Sequence, residues 1–158
     1  MLFSSLLLAI TALYAFFFGI SLLQLIAPWE RRVSGKTFIE YHQAIDPYMA
    51  KWAKLLAQTQ LALTLVVLVM EYQQGLMVSF WLMSIALSLV VTSVLVAIRG
   101  NVPLNKLIKG WSVDELPRNW IAIRSQWLSY HHMRAWVNIL SFGFLLASLL
   151  GITEFQLP

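Results

Sequence analysis

Trp120, Arg124, Trp127, His131, Arg134 and Asn138 follow one another at intervals of 4, 3, 4, 3 and 4 residues. On an α-helix such intervals draw one stripe, and at 1.5 Å of rise per residue it runs for roughly 27 Å. Arg134 stands beside an apolar segment, where a charge facing lipid costs several kcal/mol, so the stripe is expected to face protein, water or a partner. Such a stripe would line a pocket or form a polar network inside the bundle, and its histidine titrates near neutral pH and is chemically versatile. His132 points about 100° away from His131 and is expected at the surface. A second histidine, His42, lies on the inward face of a short helical pattern upstream, as a proton acceptor, a metal ligand, or a ring hydrogen-bonded to a neighbour. The same stripe could equally fill the gap between helices and do no chemistry.

Two asparagines in Asn101-Val-Pro-Leu-Asn105 are the remaining candidates. Pro103 lacks an N–H and biases Val102 toward extended backbone, so a helix break is expected here. The two carboxamides either cap the freed backbone groups or face a cavity and orient a substrate. Metal chemistry is not expected: no HxxxH or ExxH spacing occurs, and the chain has no cysteine. No phosphate-cradling loop, dinucleotide fingerprint or Ser-His-Asp arrangement is present, and nothing points to nucleic acid. No cofactor is implied.

The elements that must position these residues are apolar. Of 158 residues, 59% are hydrophobic and only 11% charged, whereas a soluble domain has about a quarter charged. The mean hydropathy is +0.73. A single all-α domain of four transmembrane helices is expected, with spans at about 2–27, 52–71, 76–98 and 135–152, each near the roughly 20 residues a bilayer requires. The first is too long, and lacks the basic start, for a signal-peptide core, so it is read as a retained helix. Only EYQQG separates the second and third spans, which makes them an antiparallel hairpin. All 11 Lys and Arg residues flank or lie in the two long connections. The positive-inside rule places these connections in the cytoplasm and both termini outside. Trp29, Trp52, Trp81, Trp111 and Trp136 fall near span ends, as an interfacial aromatic belt would.

The connections carry helix signals of their own. Thr37-x-x-Glu40 and Ser112-x-x-Glu115 match capping boxes. Asp46-Pro47 matches an N-cap followed by proline at the first helical position. Phe38, His42, Ile45, Met49, Trp52 and Leu56 recur at helical spacing, predicting a short amphipathic helix that leads into the second span with a bend near Pro47. Gly110 should end a short helix, and Pro117 should open the long one that becomes the fourth span.

Four spans with N-x-P-L-N after the third, then a Trp, then R-x-x-W-x-x-x-H-x-x-R leading into the fourth, resemble the anthrone-oxygenase-like family of small membrane proteins. The matching residues are Asn101, Pro103, Leu104, Asn105, Trp111, Arg124, Trp127, His131 and Arg134. Many relatives carry Asn where this chain has His131, and many bacterial members have no assigned function. The resemblance implies cofactor-independent oxidation of an apolar polycyclic substrate by molecular oxygen. His131 or His42 would be the base, and Arg124 or Arg134 would hold the enolate. Asn101 and Asn105 would orient the substrate and Trp127 would pack on its rings, with Asn138 deeper along the stripe. The competing expectation is a non-enzymatic accessory subunit or lipid- or small-molecule-binding protein. Either way the partners are the bilayer and an apolar ligand, with a further copy or another membrane protein as an alternative.

Overall fold

The computed structural model describes the backbone of residues 1–156 and the side chains of residues 1–151. It is all-helical among the described residues: α1 (Leu2–Ile26), α2 (Gly35–Ala44), α3 (Asp46–Gln73), α4 (Met77–Val96), α5 (Val102–Lys109) and α6 (Trp120–Gln156). Four helical stretches, Leu2–Arg31, Asp46–Gln73, Met77–Lys109 and Trp120–Gly151, are long and apolar enough to cross a membrane. They pack as a closed ring, α4 on α6, α6 on α1, α1 on α3 and α3 on α4. Long helices around one core, without sheets, are what four apolar segments of this length can form.

Two buried cores lie along the bundle. Ile10, Tyr14, Val67, Met83, Ala86 and Leu145 fill the middle. Phe38, Ile39, Leu104, Ile108, Trp127 and Leu128 fill the end where the basic residues gather, under the lid formed by α2. The hairpin turn between α3 and α4 closes at Gly75, whose φ of +71° is a backbone conformation glycine adopts at little cost. Trp29, Trp52, Trp81 and Trp136 are exposed, as the belt requires, while Trp111 packs against the second core.

Several local expectations are corrected. Pro103 does not break the third span. The chain passes from α4 through a π-helical turn at Ala97–Asn101 directly into α5, and Pro103 falls at the start of α5, where the bonding changes from the wider π pattern to the α pattern and a residue with no N–H to donate fits. Asn101 accordingly caps nothing with its side chain. Ser34, not Thr37, is the N-cap of α2, and its hydroxyl accepts from the Thr37 N–H. Asp46 and Pro47 both lie inside the first turn of α3, so the Asp46 carboxylate is free to bond elsewhere. Ser112 accepts from the Asp114 N–H in an irregular segment, and α6 starts only at Trp120. The interruption expected near Pro47 falls at Ile45, between α2 and α3, but the inward face ends at His42, and Ile45, Met49 and Trp52 are exposed.

The π-turn brings α4 unusually close to α6. A Cβ on Gly100 would lie 2.5 Å from ring atoms of Tyr130, far inside ordinary contact. Gly100→Ala is therefore expected to destabilise the bundle by about 1–3 kcal/mol. The check is thermal unfolding in detergent beside the double variant Gly100→Ala/Tyr130→Ala, whose loss should be smaller than the sum of the single losses. Strict additivity would remove the contact as the cause.

Candidate functional site

Trp127 is the centre of the basic-end core, and its indole is held from several sides. Its ring N–H donates to Asn105 Oδ1 at 2.6 Å. Asn105 Nδ2 donates to Asp46 Oδ1 at 2.7 Å, and Lys109 Nζ meets Asp46 Oδ2 at 3.0 Å. That chain ties α6, α5 and α3 together. The backbone carbonyl of Trp127 accepts from Asn101 Nδ2 at 3.2 Å. Around the indole lie Phe38 and His42, edge-on at centroid distances of 5.6 and 5.1 Å, and His131, tilted over it at 3.8 Å.

The two histidines beside the indole are opposite in hydrogen-bonding character. His42 is fully buried, and its Nδ1–H donates to the Phe38 carbonyl one turn back, at 2.8 Å. In the neutral ring this leaves a lone pair on Nε2, and that atom is buried without a partner. His131 is arranged the other way. Its Nδ1 accepts from the Gln24 amide at 2.6 Å, which leaves the N–H of the neutral ring on Nε2. One imidazole is thus set to take a proton and the other to donate a hydrogen bond.

Burial pushes His42 below the ordinary value of 6.5. The hydrogen bond to Phe38 and the Asp46 carboxylate act in the opposite direction, and Lys109 reinforces the effect of burial. Arg134 reaches Asn101 Oδ1 with Nη1 at 3.5 Å, while its Nε is buried without a partner. A buried acceptor, His42 Nε2, lies beside the indole, and a buried donor, Arg134 Nε, belongs to the side chain that reaches Asn101, whose amide bonds the Trp127 carbonyl. Buried polar groups are normally paired, so both are exceptions within one stretch of the bundle.

His42, His131, Arg134, Asn101 and Trp127 come together, as do Asn105 and Trp127. Arg124 does not join them. Its Nη1 donates to the carbonyls of Val33 and Glu30 at 2.8 and 3.3 Å, and the guanidinium lies over Trp120 at 4.5 Å. Asn138 is one turn deeper than Arg134 and donates to Ser21 Oγ at 3.0 Å. His132 faces outward, with Arg31 Nη2 donating to its Nδ1 at 3.4 Å. Among the described residues no three His, Asp or Glu side chains gather as a metal ion would require. Of the two described grooves, one lies on the outer face of α6 and the other beside Trp29; neither is lined by His42, His131 or Arg134.

Buried polar contacts continue along the bundle beyond the sequence-predicted stripe. Ser141 and Ser148 extend its 3–4 spacing; Ser141 donates to the Ala86 carbonyl. At the end away from the cations, Glu71 is fully buried, with Oε1 accepting from Ser79 Oγ at 2.6 Å and Ser148 Oγ at 3.4 Å, and with Oε2 unpartnered. Tyr14 and Thr64 pair at mid-bundle at 3.4 Å. The signal that could have found Glu71 is plain enough: it is the carboxylate that closes an otherwise apolar span just before EYQQG's amides.

The depressed His42 pKa has a definite sign. Unfolding raises it toward its ordinary value, so the unfolded chain binds the proton more readily. Stability is present above about pH 6.5 and is lost as pH falls through that value toward the folded pKa, at no more than about 1.4 kcal/mol per pH unit. Unfolding in detergent across this range should show a shallower slope for His42→Gln than for the native chain. Parallel slopes would mean that the ring takes up its proton equally in both states.

No protein-family model matches the chain, and neither a curated protein nor a solved structure matches it.

Proposed function

We propose that the chain is a small integral membrane protein whose basic end holds an apolar polycyclic carbonyl compound of the anthrone type and oxidises it with molecular oxygen, without a cofactor. One observation carries this reading: the lone pair of His42 Nε2, buried and unpartnered beside Trp127, with its tautomer held by the Phe38 carbonyl. An anthrone is a carbon acid. His42 takes the proton from its methylene carbon, and the charge moves to the ring oxygen, where Arg134 and the Nε2–H of His131 hold it. The carbanion passes an electron to O₂, the radical pair joins as a carbon-bound peroxide, and loss of water leaves the second carbonyl. One substrate and one O₂ thus give one quinone and one H₂O. His42 is the base here because Gln24 occupies the Nδ1 lone pair of His131. Substrate entry requires the Trp127–His131 stack to separate.

A second reading has its own support. The run Trp127–Asn105–Asp46–Lys109 is what a network that merely locks helices would look like, and it suits a lipid- or small-molecule-binding protein or an accessory subunit. Anthrone-dependent oxygen uptake by the purified protein separates the two. On the enzymatic reading His42→Gln and Arg134→Gln each lower uptake by roughly a hundredfold or more, whereas His131→Asn, which keeps an N–H donor, retains more activity than His131→Ala. Unchanged uptake in His42→Gln removes the base assignment, and no uptake by the native chain leaves the second reading.

The charge distribution supports a cytoplasmic position for both long connections, with the termini outside. Because the chain lacks cysteine, single substitutions report topology directly. In intact cells an impermeant maleimide should label Gln74→Cys and spare Glu115→Cys; the reverse pattern would invert the orientation.

A further inference from the structure

The outer face of α6 carries a groove of about 380 Å³ that has no part in the proposed chemistry. Its polar wall is Arg31, Arg124 and His132, with the two guanidiniums carrying the charge; Ser125 and Ser129 line it along α6, and Ile121 and Leu128 supply apolar surface. We propose that this groove binds the phosphate headgroup of an anionic phospholipid.

Three features support that occupant. Charge is the first. The one ion pair among the described residues is Lys109–Asp46, so neither groove guanidinium has a carboxylate partner, and Glu30 does not line the groove. Two unneutralised guanidiniums beside hydroxyls match the forked geometry of phosphate oxygens.

The second is preorganisation. Arg124 is pinned by the Glu30 and Val33 carbonyls and by Trp120, while Arg31 and His132 are joined by their own hydrogen bond. In that bond His132 Nδ1 accepts, so the N–H of the neutral ring is on Nε2, a further donor for the ligand. The hydroxyls of Ser125 and Ser129, one turn apart, make no hydrogen bond within the described residues.

Depth is the third feature. Trp136 follows His132 by one helical turn on the same face and is 59% exposed, and Trp29, beside Arg31, is 40% exposed. Indoles exposed in this way mark the headgroup level of a bilayer. The groove lies one turn to the polar side of Trp136, where the phosphates are. All 11 Lys and Arg residues lie in or flank the two long connections at this end of the bundle, the end that attracts an anionic leaflet.

The test uses the whole chain in neutral detergent, with phosphatidylglycerol, phosphatidylcholine or inorganic phosphate added. Native mass spectrometry and thermal unfolding are the readouts. Phosphatidylglycerol should form a one-to-one adduct and raise the unfolding midpoint, and phosphatidylcholine should do neither. Arg31→Gln should weaken the adduct about fivefold, while Arg118→Gln, an equal loss of charge on an exposed residue outside the groove, should leave it intact. The proposal fails if phosphatidylcholine binds equally, or if the two variants behave alike. A midpoint shift of the same size with inorganic phosphate alone would overturn the lipid as occupant and make the groove a site for free phosphate. Oxygen uptake plays no part in these readouts, so they stand or fall apart from the catalytic reading.

Discussion

Where α4 gives way to its π-helical turn, Gly100 lets the backbone approach the ring of Tyr130, and the next residue, Asn101, donates to the carbonyl of Trp127. That seam between the third and fourth candidate spans sets the position of the indole. Everything proposed for the basic end is arranged around the indole. Asn105, one turn further along the same continuous helix, meets the indole N–H, so both ends of Trp127 are fixed by residues four apart. A π-turn inserts one extra residue per turn and is often found at functional sites. Here it coincides with the approach of two adjacent residues, Gly100 and Asn101, to α6.

With the indole held, the two histidines are distinguished by their backbone and side-chain partners. His42 is anchored through the carbonyl of its own helix four residues back, a contact that any inward-facing histidine on α2 can make. His131 is anchored from α1 by Gln24. Chemically identical side chains thereby acquire opposite roles, one accepting and one donating. Arg134 adds an unsatisfied N–H close by. Leaving such groups unpaired in a dry interior costs about 1–3 kcal/mol each, and the apolar packing of Phe38, Ile39, Leu104 and Ile108 around them offsets that cost.

Polarity inside the bundle is sorted by position. The basic end holds the imidazoles and the guanidinium, the middle is closed by Val67, Met83 and Leu145 with the Tyr14–Thr64 pair among them, and the far end buries Glu71 with Ser79 and Ser148. A long helix with a 3–4 repeat presents one face to the interior throughout its length, so polar residues placed on that face at any depth end up buried. The serines meet their needs within a turn or across one helix contact, which is why they fit in an otherwise apolar core.

Much of this was legible in the residues alone. The number of long apolar helices follows from how many apolar runs the chain offers, and the hairpin follows from the brevity of EYQQG. The inward direction of Trp127, His131, Arg134 and Asn138 follows from helical periodicity, because the spacing of side chains around a helix is a local property. Local rules misjudged Pro103, Thr37 and Ser112, where a proline or a cap has more than one satisfactory geometry and packing selects among them. Whether Arg124 faces the histidines or the Glu30 and Val33 carbonyls depends on where α1 ends relative to α6, which no spacing within α6 contains. The same is true of the tautomers: Gln24 and His131 are 107 residues apart. Sequence determined which residues share a face; only the tertiary structure decided which of them meet, because that depends on the register between helices.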